Sequence, residues 1–308
     1  MAESKTILLT GATGFLGSNL LKGMLSAGWN VVILKRSSSD IKRIIGEMHQ
    51  ITSYDIDSIS LDSVFEAEPI NRIVHCAVEY GRDPKSNLSI LDVNLRFSVE
   101  LLECAKKYGV VQFINTDSFF NQSNLNYTYL SGYSLSKKQL IEWLKLYSEE
   151  FQIVNLRLGH IFGLNDGESK FISWFVKQLI EPESEESIKL TPGEQLRDFV
   201  SVSDVVEAYL FVLNNYVESD GYSSFDVGTG RLITLKEFVI DIKSCISDLG
   251  LMKFDRLLEF GALPYRNGEI MSPEMDCKPM SLIGWKSLSE TKDAIRVMIE
   301  NNNLRRIK

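Results

Sequence analysis

The sequence predicts an α/β chain built around a doubly wound parallel sheet. Two observations carry this expectation. Short β-rich runs alternate with longer stretches of helical apolar spacing through the first half of the chain. The first run passes into the first helical stretch through a turn holding three glycines. Strands that alternate with helices lie parallel, with the helices packed on both faces.

The elements follow in order. Residues 6–10 (TILLT) are the first strand run. Residues 15–27 carry apolar side chains at helical spacing and stop at Gly28, a residue suited to closing a helix. A buried-strand run covers 30–34, and a third strand is expected to end near Asp55. Runs at 72–77 and 110–115 repeat the pattern, with a helix over about 90–108 between them. A long helix over about 133–151 precedes a strand at 153–158. The second half is less regular. Thr234 and Glu237 frame a capping box (T-L-K-E) ahead of a helical pattern over 235–249. Residues 289–302 read as an amphipathic helix with Ala294, Ile295, Met298 and Ile299 inward. The acidic run 181–187, which contains Pro182, reads as a solvated loop.

A chain of 308 residues accommodates one large α/β domain, or one with a smaller lobe. The net charge of −8 argues against a general attraction to nucleic acid or to an anionic membrane. Cys76, Cys104, Cys245 and Cys277 stand at neither metal-ligand nor redox spacing, as expected of idle thiols in a reducing compartment. The start, MAESKTILLTG, lacks a basic segment followed by a long apolar one, and no run approaches the ~18 apolar residues of a membrane span. A cytoplasmic protein with no membrane partner is expected.

The glycine turn reads Gly11-Ala12-Thr13-Gly14-Phe15-Leu16-Gly17. Glycine lets the backbone turn tightly and lets a pyrophosphate approach the helix N-terminus, where free N–H groups favour negative charge. The spacing is G-x-x-G-x-x-G, not the commoner G-x-G-x-x-G. The second strand runs into Lys35-Arg36-Ser37-Ser38-Ser39. A site for NAD usually places an acid there for the ribose 2′-hydroxyl. Arg36 and Ser37 suit a 2′-phosphate instead, so NADP(H) is the preferred cofactor and NAD(H) the alternative; a plain surface Lys-Arg pair is the other reading. Asp55 is either an acceptor for the adenine amino group or a turn residue.

Tyr133 and Lys137 stand four apart on a predicted helix and share a face. A tyrosine is a poor acid at neutral pH, but a neighbouring ammonium favours its phenolate. Tyr133 can then give a proton to a carbonyl oxygen as hydride reaches its carbon. Thr116, at the end of the predicted fifth strand, offers a hydroxyl to the reacting oxygen; Ser118 is the competing hydroxyl, and turn chemistry the other role for Thr116. Gly11, the turn at 75–78, Thr116 and the turn at Gly159-His160 all follow carboxyl ends of predicted parallel strands, where such sheets bind ligands.

These motifs resemble the extended short-chain dehydrogenase/reductase family, in its nucleotide-sugar branch. The resemblance rests on GATGFLG at 11–17, VHCAVEYG at 74–81, Asn94, INTD at 114–117, YSLSK at 133–137, LRLGHIFG at 156–163, LRDFVSVSDVVEA at 196–208 and FDVGTG at 225–230. It implies a Rossmann domain over 1–165 and about 196–230, and a smaller lobe over 166–195 and 231–308 that holds a nucleoside-diphosphate sugar. It also implies that Thr116, Tyr133 and Lys137 are the catalytic triad. By the same likeness the cofactor meets Gly11, Thr13, Gly14, Phe15, Leu16, Gly17, Arg36, Ser37, Asp55, Ile56, Cys76, Ala77, Asn94, Tyr133, Lys137 and His160. Substrate contacts would come from Tyr80, Asp117, Ser118, Lys170, Arg197 and Arg266, with a structural ion pair as the other role for Arg197.

Two departures narrow the expected activity. Sugar dehydratases of this family carry Thr-Asp-Glu where this chain has Thr116-Asp117-Ser118, and epimerases commonly place asparagine where it has His160. The run 261–269 (GALPYRNGE), with NTD at 115–117 and YGR at 80–82, is similar to reductases that act on CDP- or dTDP-linked 4-keto-6-deoxyhexoses. The resemblance therefore implies NAD(P)H-dependent reduction at C4 in deoxysugar precursor synthesis for O-antigen or lipopolysaccharide. A 4-epimerase holding NAD is the alternative, and a non-catalytic dinucleotide-binding protein the third reading. A homodimer built on the two helices flanking the site is common in the family.

Overall fold

The computed structural model describes residues 5–81, 87–121, 130–163, 166–167, 170–215 and 221–306. The chain divides into two units, residues 1–158 with 206–226, and residues 159–205 with 227–308.

In the first unit, β1 (Thr6–Thr10) leads through the glycine turn into α1 (Phe15–Ser26), then β2 (Asn30–Lys35) and β3 (Thr52–Asp55). Next come α2 (Leu61–Ala67), β4 (Arg72–His75), α3 (Asn87–Leu91), α4 (Phe97–Lys107), β5 (Gln112–Ser118), α5 (Ser131–Tyr147) and β6 (Gln152–Leu158). A wide π turn over Asp92–Arg96 joins α3 to α4, so the predicted continuous helix over 90–108 is interrupted. The extra residue in that turn lets Asn94 turn inward, where it is buried.

The strands of the first unit form a seven-stranded sheet in the order β11-β6-β5-β4-β1-β2-β3, with β11 at Tyr222–Val227. From β3 across to β6 the pairings are parallel. All five residues of β1 are buried, as a strand covered on both faces requires. One core gathers Leu8, Val32, Ile73, Phe113 and Ile153 from five strands with Leu101, Leu140 and Leu144 from the helices. Strand order reverses between β1 and β4, and the crevice outside their carboxyl ends is where this topology binds ligands.

The second unit holds β7 (His160–Phe162), α6 (Phe171–Ile180), β8 (Ile188–Leu190), β9 (Leu196–Arg197) and β10 (Phe199–Ser201). The helix α7 (Val202–Asn215) carries the chain back to the first unit. After β11 come β12 (Ile233–Thr234), α8 (Leu235–Asp248), β13 (Leu258–Phe260), α9 (Lys278–Leu282) and α10 (Thr291–Arg306). The capping box at Thr234 and Glu237 is formed, with both reciprocal hydrogen bonds. Phe162, Phe175, Phe238, Ile242, Ile295 and Ile299 share one core, in which Phe199 stacks on Phe238 at 3.7 Å.

Residues 159–163, 196–205 and 227–230, expected in the first unit, lie in the second. The reason is pairing: β7 continues β6 in sequence but pairs with β10 rather than with the central sheet. No described helix is long and apolar enough to cross a membrane. All four cysteines are free thiols.

Candidate active site

The glycine turn is packed backbone on backbone. Gly11 has φ +69°, and a Cβ there would stand 2.7 Å from the Cys76 carbonyl carbon and 2.8 Å from the Ala77 nitrogen. A Cβ on Gly17 would stand 2.1 Å from the Gly11 oxygen and 2.9 Å from the Ala12 Cα. α1 begins at Phe15 with no side-chain cap at Gly14 and no acid in its first turn. Its leading N–H groups and positive dipole end therefore suit an anion. These features fit a dinucleotide pyrophosphate. Gly17→Ala is expected to destabilise the protein by about 3 kcal/mol, because backbone and not a flexible side chain must yield. Dinucleotide binding should fall with it, and urea melts with a cofactor titration check both.

The carboxyl ends of β1 and β4 are joined by a buried polar chain. Thr10 Oγ1 accepts from the N–H groups of Cys76 and Ala77, both at 3.1 Å, and lies 2.9 Å from His75 Nδ1. Ser98 donates to the Asn94 carbonyl at 3.0 Å and lies 2.9 Å from His75 Nε2. Since Thr10 and Ser98 each have one hydrogen, Thr10 donates to Nδ1, and Nε2–H donates to Ser98. His75 is thus held as one neutral tautomer. Burial, followed by the charge of Lys137, pushes its pKa down to about 3.

Asn94 accepts from the Glu79 N–H at 2.8 Å and donates to the Glu79 carbonyl and to Ser136 Oγ, both at 2.9 Å. Ser136 in turn donates to the Tyr133 carbonyl at 2.8 Å. Asn94 therefore ties the segment after β4 to the first turns of α5. Its amide hydrogens are both engaged in that tie.

Tyr133 and Lys137 are buried on one face of α5. Lys137 Nζ donates to the Thr116 backbone carbonyl at 2.7 Å. Burial lowers the lysine's proton affinity, and the neighbouring Asp117 opposes the shift. The Tyr133 ring lies 4.9 Å from the ring of Tyr80. A cavity of about 270 Å³ opens beside them, lined by Tyr80, Gly81, Asn87, Ile90, Leu130 and Tyr133. The Thr116 hydroxyl lies 3.0 Å from Cys76 Sγ and 2.7 Å from the Tyr209 hydroxyl. Tyr209, on α7, was not anticipated from the sequence.

Asp117 is buried and fully engaged. It accepts from its neighbour Ser118 N–H at 2.8 Å, from Asn121 at 2.9 Å and from Asn155 at 3.2 Å. Burial raises its pKa, against the pull of Lys137. At the end of β2, Lys35 forms an ion pair with Asp55, and Ile56 N–H donates to the Lys35 carbonyl at 2.9 Å. Ser37 gives its N–H to Asp57 at 2.9 Å, and its hydroxyl donates to the same carboxylate. Arg36 is exposed beside it.

In the second unit, Arg197 is buried in an ion pair with Glu269 and donates to the Ile270 carbonyl at 2.6 Å. His160 is held neutral: burial first, then Arg197 and Lys170, push its pKa down to about 3. Lys170 precedes α6, and Arg266 is exposed. Among the described residues no cluster of three or more histidine, cysteine or acidic side chains could hold a metal.

Residues 7–228 match the NAD dependent epimerase/dehydratase family. The CDP-abequose synthase of Salmonella typhimurium is 32% identical over 96% of this chain and 97% of its own. A dTDP-4-dehydro-6-deoxy-D-allose reductase of a Streptomyces species is 25% identical over 90% and 93%. Among solved structures, the UDP-glucose 4-epimerase of Thermotoga maritima superposes with a TM-score of 0.80 at 21% identity, over 98% of this chain and all of that one. The glycine turn at the β1/β4 reversal, the tyrosine and lysine one turn apart on α5, and identity sustained along nearly the full length of both chains lead to one assignment: this chain belongs to the NAD dependent epimerase/dehydratase family, among the extended short-chain dehydrogenases/reductases its motifs resemble.

Proposed function

We propose that the protein reduces the C4 ketone of a nucleoside-diphosphate 4-keto-6-deoxyhexose, linked to CDP or dTDP. The observation that carries this reading is the run Thr116-Asp117-Ser118 at the end of β5. Dehydration would need an acid and a base there. Asp117 is buried under three N–H donors and the next residue is a serine. What is left is a hydroxyl, a phenol and an ammonium, the set for moving one proton to or from an oxygen. The likeness to the CDP-abequose synthase supports net reduction over hydride return.

A nicotinamide dinucleotide held at the glycine turn would supply the hydride for C4. Tyr133 gives its phenolic proton to the new alkoxide and regains one from water. Lys137, held against the Thr116 carbonyl, lowers the cost of the phenolate left behind. Thr116 donates a hydrogen bond to the same oxygen. The cationic groups Lys170, Arg197 and Arg266 are the candidates for the sugar diphosphate, and Arg197 also pairs with Glu269. On α5, Leu135, Trp143 and Leu146 are exposed, which supports a homodimer over that helix.

The deciding experiment mixes the protein with CDP-, dTDP-, GDP- and UDP-4-keto-6-deoxy sugars and NADPH or NADH, with products identified by NMR. Stoichiometric cofactor oxidation with one of them is expected. Conversion with no net redox by protein that retains NAD would support the 4-epimerase in its place.

Arg36 supports the phosphorylated cofactor, whereas the Asp57 carboxylate on Ser37 opposes a second anion there. Arg36→Ala should weaken NADPH binding about 10-fold, the scale of one charge-assisted hydrogen bond, and leave NADH unchanged. Asp57→Asn should tighten NADPH alone. Equal shifts for both cofactors in a fluorescence titration would remove both residues from cofactor choice.

A further inference from the structure

The Thr116 hydroxyl is held from two sides by groups brought from distant parts of the first unit. Cys76 Sγ, just past β4, is 3.0 Å away, and the Tyr209 hydroxyl, on α7, is 2.7 Å away. Tyr209 is fully buried, and among the described residues its hydroxyl has no other hydrogen-bond partner. Burial pushes the Tyr209 phenol well above its ordinary pKa and the Cys76 thiol up to about 12. Both groups therefore keep their hydrogens at neutral pH.

That protonation state fixes the direction of the Tyr209 bond. A phenol has one hydrogen, and a buried one is costly to leave unpaired, so Tyr209 donates to the Thr116 oxygen. The thiol faces the same oxygen and can either donate to it or accept from it. With one lone pair of Thr116 taken by the phenol, its single hydrogen is turned away from Tyr209. The Thr116 backbone is pinned as well, by Lys137 Nζ on its carbonyl at 2.7 Å. Successive hydrogen bonds of one sense polarise one another, which makes Thr116 a better donor.

We propose that Tyr209 is a positioning residue for the ketone reduction: by donating to Thr116 it leaves the threonine hydrogen free for the reacting oxygen. This rests on the reductase reading given above. Tyr209 does not touch the substrate, and its influence passes through Thr116 alone.

A kinetic cycle with Tyr209→Phe, Thr116→Val and the double variant tests it on the full-length protein with NADPH and the ketosugar that the wild type reduces. Thr116→Val should lower kcat about 100-fold, as loss of one preorganised donor does. Tyr209→Phe should lower kcat about 10-fold with KM for both substrates unchanged, because only the transition state needs the stronger donor. The double variant should be no slower than Thr116→Val. Multiplicative losses in the double variant, or an unchanged kcat in Tyr209→Phe, overturn the inference while leaving the reductase reading intact. If the wild type reduces no ketosugar, the reductase reading falls, and the thermal melts of the same four proteins still decide the contact. A loss of melting temperature in the double variant smaller than the sum of the single losses supports the Tyr209–Thr116 bond, and a strictly additive loss overturns it.

Discussion

Tyr133→Phe lowers kcat by about 10³-fold, within the range of general acid catalysis by one positioned side chain. The phenol is the group placed to give a proton to the alkoxide, and its ring remains in phenylalanine. The ring contact with Tyr80 should therefore survive. Lys137→Met should lose a comparable factor for a different reason. It removes the ammonium that favours the phenolate, and it also leaves the Thr116 carbonyl without its donor. Because burial lowers the proton affinity of Lys137, its charge is lost at a lower pH than an ordinary lysine's. The alkaline limb of kcat should thus lie below pH ~10.4, the ordinary lysine value, and should move to higher pH in the methionine variant, where only the phenol titrates. Steady-state rates and a cofactor fluorescence titration check both variants. Unchanged turnover in Tyr133→Phe would remove the catalytic reading and favour a protein that only binds the dinucleotide.

The parts of the site that were legible in the sequence are those where local chemistry and function coincide. Gly11 and Gly17 are demanded by backbone contacts within a seven-residue turn, so the pattern itself announces them. Tyr133 and Lys137 lie one helical turn apart, and that spacing is also visible. Strands such as β1 and β6 are buried on both faces, so their apolar character stands out. What sequence could not disclose depends on distance along the chain. Tyr209 reaches Thr116 from 93 residues away. It occupies an ordinary helical core position, where a tyrosine carries no local signal. The π turn at Asp92–Arg96 was hidden because one extra residue barely disturbs apolar periodicity. The pairing of His160–Phe162 with β10 carries no local signal, because it joins residues about 40 positions apart. Ser37 read as a phosphate ligand because Asp57, 20 residues on, could not be seen to meet it.

His75 had no place among the expected site residues, yet it governs the second large effect: stability to acid. Its pKa in the fold is pushed down to about 3, and that of His160 to about 3, in both cases by burial first. In the unfolded chain each returns to about 6.5. Between those values the unfolded chain binds protons that the folded chain refuses. A base with a depressed folded pKa contributes stability that is complete above pH ~6.5 and is lost as pH falls toward 3. For His75 alone the slope approaches about 1.4 kcal/mol per pH unit. Asp117 works the other way, since burial raises its pKa and acid relieves the cost of its charge. The net expectation is a protein that loses a few kcal/mol between pH 6.5 and 4. His75→Gln separates the contribution. It should be less stable at pH 7, because the Thr10–His75–Ser98 chain is broken at its centre. Its stability should also fall less steeply between pH 6 and pH 5, by about 1 kcal/mol, since one titrating group is gone. Urea melts of both proteins at pH 7, 6 and 5 give the two slopes. Parallel slopes would mean that His75 is protonated in the fold. The Thr10–His75 bond would then have to reverse, with Nδ1 donating to the hydroxyl that now receives two N–H groups. That hydroxyl would have no lone pair left to accept it. The hydrogen-bond count and the titration thus make one claim: the neutral imidazole is what locks the carboxyl ends of β1 and β4 together beneath the glycine turn.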